Sequence, residues 1–483
     1  MKCSNQKMPR ISVRLVIILS FAITTSMVFF LFGFNNQVTL FISVSLLFFS
    51  IILMCAKSWN RSFLLLLFTC AIGLFLLGRY TLHFINGDTT SQYVNNDSII
   101  KTLRLIYISL YGVIIGSIIG LMSPNNSHSA SISKRSKIVK NISWPLSILS
   151  GIVFLVYNLL LLESMRGQPY ESLYIDSSRS IMPEMLTGIS QLFIYVMCVF
   201  LATYPSKKKT NLVLMIYIMS QIPICIIGSR APLISAIVFS LAYILLRKYR
   251  PISFSESKQW LKKKELIMII IMTPIIMIAM SAVGNSRGNA NMSNDNTSSN
   301  GLVDLIEKQG VTFRIVAFSI EREEEIPKPA YGSYIFSPVI NNLAGYFLGS
   351  NKTISSQTLK SAERGVNSAD ALSYVVIGDR YLEGYGLGSS YIIDSYLDAG
   401  WIGVFAISFI IGLFLIKATN AFGKYWIINY IILIITTEIF MLPRGIVANV
   451  IMQLLYPKTI ILLTLIFLLS MVISRNNKEK IIK

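Results

Sequence analysis

Charge is scarce in this chain. Of 483 residues only 14% are charged, 53% are hydrophobic, and the mean hydropathy is +0.62. Such a composition excludes a cytosolic enzyme, a disordered chain and a secreted disulfide scaffold. Acids are scarcer than bases, 23 against 43. The basic excess is scattered through short connections between apolar runs, which points to membrane topology and away from a nucleic-acid partner. Histidine is almost missing: His83 and His128 are the only two. The topology derived below separates them across a membrane, so no His-based metal site or His-assisted nucleophile is available. Of five cysteines, Cys3 lies in the N-terminal tail and Cys55, Cys70, Cys198 and Cys225 lie in apolar runs. None forms a C-x-x-C pair, so they read as small packing residues. No Walker A or Rossmann pattern occurs. Neither a metal nor a cofactor is expected.

What is present is a succession of apolar runs, each near the ~20 residues a bilayer crossing needs. Twelve fall near residues 13 to 34, 38 to 56, 62 to 84, 103 to 122, 142 to 162, 185 to 204, 211 to 228, 231 to 246, 266 to 283, 391 to 418, 426 to 442 and 455 to 474. The expected fold is all-α, a polytopic integral membrane protein with about 12 transmembrane helices and one large extracytoplasmic loop. The N-terminal tail and every second connection together hold 26 basic residues against three acids, Glu256, Glu265 and Glu479. The other face holds 17 bases against 20 acids. By the positive-inside rule both termini are then cytoplasmic. The first run is flanked by bases and has no small-residue cleavage site after it, so it reads as a retained anchor.

The chain divides into residues 1–283 with nine spans, a large outer loop at 284–390, and residues 391–483 with three more spans. A loop of that length is functional or disordered. Gly288 to Gly301 is polar and of low complexity. Beyond it Leu302, Leu305, Ile306, Val311, Ile315, Val316 and Phe318 are spaced for short amphipathic helices. Then Tyr331, Tyr334, Phe336, Tyr346, Phe347, Tyr374 and Tyr381 stand among Ser, Asn and Asp. Aromatic rings stack on sugar C–H faces, and short polar side chains bond hydroxyls. The same tyrosines would also suit a simple anchor at the lipid headgroups.

Three outer arginines stand out: Arg230 in Gly228-Ser229-Arg230-Ala231-Pro232, Arg314 in the loop, and Arg444 in Pro443-Arg444-Gly445. A guanidinium at membrane depth is costly unless it meets an anion, and its planar fork fits phosphate. The plain alternative is an arginine that snorkels to the interface. A third constellation is Gly384-Tyr385-Gly386-Leu387-Gly388-Ser389-Ser390-Tyr391, leading through Asp394 to Gly400-Trp401-Ile402-Gly403. Its glycines let a backbone approach a ligand, and the following helix start favours an anion. The acids avoid mid-span, Glu438 being the deepest, which argues against a proton-coupled transporter.

With these residues in view, the chain resembles the Wzy-type O-antigen or capsular repeat-unit polymerases of bacterial cell membranes. The resemblance rests on the Gly228-Ser229-Arg230-Ala231-Pro232 turn, the run from Gly386 to Tyr391 continuing to Ala399-Gly400-Trp401-Ile402-Gly403, the outer Pro443-Arg444-Gly445, and the topology. It implies a GT-C-like inner-membrane enzyme, metal-independent, that moves a growing glycan from undecaprenyl pyrophosphate onto an incoming lipid-linked repeat unit at the periplasmic face. Membrane lipids and a chain-length regulator are the other candidate partners. Under that resemblance Arg230, Arg314 and Arg444 hold the lipid pyrophosphates, and Gly386, Gly388, Ser389 and Tyr391 contact substrate. With no histidine at hand, Asp370 or Asp394 would be the base for the acceptor hydroxyl. Two alternatives are weighed. The similar O-antigen ligases rely on a histidine in the large outer loop, and residues 284 to 390 have none. A lipid-linked oligosaccharide flippase would need no such loop.

Overall fold

The computed structural model describes residues 13–87, 94–123, 134–175, 181–252, 260–261, 301–349 and 353–482. Among them every regular element is helical. Lipid offers no water to an open backbone group, and a helix satisfies its own. In chain order the elements are α1 (Val13–Phe32), α2 (Gln37–Lys57), α3 (Trp59–Asn86), α4 (Asn96–Met122), α5 (Lys134–Ser164), α6 (Glu184–Ala202), α7 (Lys207–Ile227) and α8 (Ala231–Tyr249). The long connection after α8 then carries α9 (Gly301–Gln309), α10 (Thr312–Glu321), α11 (Ser337–Leu348), α12 (Leu359–Glu363) and α13 (Ser368–Ile377). The chain closes with α14 (Tyr391–Ala421), α15 (Trp426–Ile439), α16 (Val447–Leu455) and α17 (Pro457–Ile482).

Ten helices among the described residues are long and apolar enough to cross a membrane, and they match ten of the twelve apolar runs. The first run is α1, apolar over Phe21–Phe32. The ninth, 266 to 283, lies outside the described residues, as does nearly all of the low-complexity stretch at 288 to 301.

The most extensive helix pairing is that of α4 with α14, brought together by small residues. A Cβ on Gly116 would sit 2.1 Å from the Phe409 carbonyl oxygen, one on Gly112 2.7 Å from that of Phe405, and one on Gly412 2.2 Å from that of Val113. Only glycine permits backbones this close, and in lipid such contact drives helix association. Above these glycines the Tyr391 hydroxyl lies 2.6 Å from Ser109 Oγ, fully buried.

The long connection folds back on the bundle. Helices α9 and α10 form where the apolar spacing predicts, and Phe313, Ile315 and Val316 are buried. The end of α9 lies on α3, where a Cβ on Gly310 would come within 2.6 Å of Arg79. There α3 contains a π-helical turn, Gly73–Leu77, of the kind that inserts a residue and shifts side chains about the axis. Helix α14 is broken at Ala399 and Gly400, the glycine taking φ +57°. Just before the break the Asp398 carboxylate accepts from the backbone N–H of Tyr334 at 2.6 Å and of Ile335 at 3.1 Å, pinning the turn that starts α11.

At the other end of the bundle, cations sit on helix carboxyl ends. Arg61 donates to the carbonyl of Ser123 at 3.0 Å and Arg250 to that of Thr419 at 2.8 Å, where the unpaired carbonyls and the macrodipole favour positive charge.

Candidate functional site

Two turns carry the arginines that matter. Helix α7 ends at Gly228, whose φ of +140° is closed to other residues, and α8 starts with Pro232 in its first turn. Arg230 is the last residue before α8. The second turn is Leu442–Arg444, a single 3-10 turn between α15 and α16. It is held from below: Asp394 accepts from the Val447 N–H at 2.7 Å, capping α16, and takes a further hydrogen bond from Ser368 and a longer one from Ser389 at 3.4 Å.

Arg230 and Arg444 line one cavity of about 560 Å³, a size suited to a small-molecule or sugar ligand. It lies at the end of α7 away from Lys207, Lys208 and Lys209. The two guanidiniums are near enough to act on each other electrostatically. Arg444 donates to Gln309 Oε1 at 2.6 Å and stands 5.9 Å from the ring of Phe75 in the π-helical turn. Among the described residues, neither arginine has a carboxylate partner. Lys308 completes the cationic part of the wall.

The rest of the wall is polar and aromatic. Tyr170 and Tyr174 come from the short connection after α5, Tyr381 and Tyr385 from the long loop before α14, together with Ser356, Gln357 and Ser373. Burial and the adjacent Tyr174 push the Tyr170 phenol up, partly offset by Ser229 and Arg444. Burial, with Asp370 beside it, pushes the Tyr381 phenol up as well. Both phenols therefore remain O–H donors through neutral pH. Gly386 and Gly388 also line the cavity, and an added Cβ on Gly388 would meet nothing within 4 Å. Gly388 is needed for its φ of +83°, and Gly384 both for its φ of +94° and for space: its Cβ would stand 2.4 Å from the Glu171 carbonyl oxygen.

Among the described residues the wall holds two carboxylates, Asp370 and Glu171. Asp370 accepts from Ser356 Oγ at 2.8 Å, Ser361 Oγ at 2.7 Å and Asn367 Nδ2 at 2.8 Å. Among the described residues no group of three His, Cys, Asp or Glu side chains is arranged to hold a metal ion.

The expected site residues thus divide. Arg230, Arg444, Gly386, Gly388 and Asp370 share the cavity. Arg314 does not line it and lies 5.8 Å from the Phe318 ring on its own helix. Ser389, Tyr391 and Asp394 are buried behind it, at 2%, 0% and 0% exposure. Of the seven loop aromatics only Tyr381 reaches the wall. Tyr334 is buried against the Pro327 carbonyl, and Phe347 is exposed. Sequence reading passed over Tyr170, Glu171, Tyr174 and Gln309. The one signal for the first three was the Gly167-Gln168-Pro169 turn before them, and nothing local marks Gln309.

Fold and cavity together define a multi-pass membrane protein with a cationic, tyrosine-lined site at one end of its helix bundle. Comparison with protein families gives the class more narrowly. The chain belongs to the O-antigen polysaccharide polymerase Wzy family, whose model matches residues 13–477, nearly the whole length. No curated protein and no solved structure gave a significant match. Membership carries glycosyltransferase-type polymerisation of lipid-linked oligosaccharide repeat units in polysaccharide biosynthesis, and so favours polymerase over the ligase and flippase alternatives.

Proposed function

We propose that the cavity is the polymerisation site, that it faces the periplasm, and that it receives the pyrophosphate of an undecaprenyl-pyrophosphate-linked glycan. The observation that carries this is the convergence of Arg230 and Arg444, without a carboxylate partner among the described residues, on a cavity whose other walls offer tyrosines, serines and amides. The reaction breaks the bond between the sugar C1 and the pyrophosphate oxygen. Negative charge gathers on that oxygen as the bond stretches, and prepositioned guanidiniums lower the barrier most where charge grows most. The incoming lipid-linked repeat unit supplies the hydroxyl that forms the new glycosidic bond, and the tyrosines and short polar side chains hold the sugars.

Within this reading Arg314 packs α10 and does not touch substrate. Asp394, Ser389 and Tyr391 act as positioning residues, since Asp394 fixes the turn bearing Arg444 and Tyr391 ties α14 to α4. Asp370 fixes the loop at 356–367 through the side chains that it binds. Both termini are cytoplasmic, in line with the cations at the far end of the bundle.

The test is reconstitution. Purified protein in liposomes, given lipid-linked repeat units, is expected to build a ladder of products in excess EDTA, with arginines serving where a metal would otherwise act. Silence in EDTA with recovery on adding a divalent cation would refute the arginine clamp. In cells, deletion is expected to leave one repeat unit on the lipid A core; loss of all surface glycan would point to ligation or transport instead.

A further inference from the structure

The two carboxylates that the described residues give the cavity wall are unlike in one respect. Asp370 accepts hydrogen bonds at both oxygens from three side chains and is 5% exposed, so its lone pairs are engaged in holding the loop around it. Among the described residues, Glu171 receives no hydrogen bond or ion pair at its side chain, and it lines the same space as Arg230 and Arg444.

Its backbone is nevertheless held from two sides. Tyr170 lies against Gly228, where a Cβ would come within 2.7 Å of the phenol ring. The Glu171 carbonyl lies against Gly384, where a Cβ would come within 2.4 Å of its oxygen. The same carbonyl accepts from Tyr174 N–H at 3.0 Å. The dipeptide Tyr170-Glu171 is therefore clamped between the turn that carries Arg230 and the glycine run of the outer loop. A fixed backbone under an unengaged carboxylate, on the wall of a cationic cavity, is the arrangement a general base requires.

Resting on the polymerisation reading of this cavity, we propose that Glu171 is the base for the acceptor hydroxyl. As the hydroxyl oxygen forms its bond to C1 of the donor sugar, its proton passes to Glu171. The C1–O bond to the lipid pyrophosphate breaks, and its electron pair leaves on the pyrophosphate beside Arg230 and Arg444. The proton is then lost to water, which returns Glu171 to its starting state.

The experiment uses the full chain in liposomes with lipid-linked repeat units. Glu171→Gln keeps size and polarity, so binding of the lipid-linked repeat unit is expected to persist while turnover falls roughly 10²- to 10⁴-fold. Glu171→Ala is expected to regain turnover with added formate, which a merely structural role would not give. Near wild-type turnover in Glu171→Gln, or loss of substrate binding in it, overturns the base assignment and leaves the polymerisation reading standing. If Glu171→Gln does not reach the membrane, formate with Glu171→Ala and the wild-type pH profile decide: kcat/KM must decline on the acid side, and a flat profile overturns the base. A wild-type protein that builds no ladder overturns the polymerisation reading, and the base with it.

Discussion

Lysine and arginine carry the same charge, but only arginine presents a rigid fork of donors to a phosphate. At Arg230 and Arg444, replacement by lysine is therefore expected to lower polymerisation about tenfold or more, since one charge-assisted hydrogen bond is worth roughly 1.5–3 kcal/mol. Arg314→Lys, away from the cavity, is expected to keep the wild-type ladder at equal membrane abundance. Wild-type ladders from both cavity variants would sink the clamp. Arg230 and Arg444 were legible in the sequence because each stands in a glycine- or proline-bearing turn on the side opposite the basic loops. Arg314 lacks such a turn, and no local pattern tells an arginine that lines the cavity from one that does not. Glu171 was illegible for a different reason. The Tyr170-Glu171 pair is held by Gly228, 58 residues beyond Tyr170, and by Gly384, 213 residues beyond Glu171, and such contacts leave no periodicity to read.

Among the helices, hydropathy located the crossings and said little about which pairs touch. Gly112, Gly116 and Gly120 recur every fourth residue in α4 and mark one face of that helix, and the structure sets that face on α14. Gly188 in α6 is also a helical glycine, with nothing within 4 Å of an added Cβ. The two positions give opposite expectations. Gly116→Ala forces its methyl into the Phe409 backbone and is expected to cost about 1–3 kcal/mol, seen as a lower Tm in detergent. Gly188→Ala is expected to be neutral or stabilising by up to ~1 kcal/mol, because alanine is the better helix former. Equal Tm values would show that α4 and α14 are not in this close register. The glycine run of the outer loop was read as room for a ligand. At Gly386 and Gly388 the space is there, but at Gly384 another part of the chain fills it, a distinction that glycine spacing cannot express.

For the molecule as a whole, the charge alternation makes a direct claim about sides. Reporter fusions after Lys140, Lys209 and Lys424 are expected to read cytoplasm, and a fusion at Asp176, a few residues past Glu171, to read periplasm. A cytoplasmic signal at Asp176 would turn the cavity to the wrong face and remove the proposed reaction with it. On the proposed reading, the cavity also sets what the enzyme can know about its product. About 560 Å³ admits a pyrophosphate and the sugars next to the bond being made, so a chain of five repeats and one of fifty present the same end. Each round is then an independent trial, with the same odds of extension or departure whatever came before. Lengths built that way follow a geometric distribution, falling steadily with no preferred size. Reconstituted alone, the protein is expected to give such a smooth decay on a gel. A ladder clustered about one length from the purified chain would mean that it measures its product at a surface well outside this cavity, whereas clustering that appears only in cells would assign the counting to a partner.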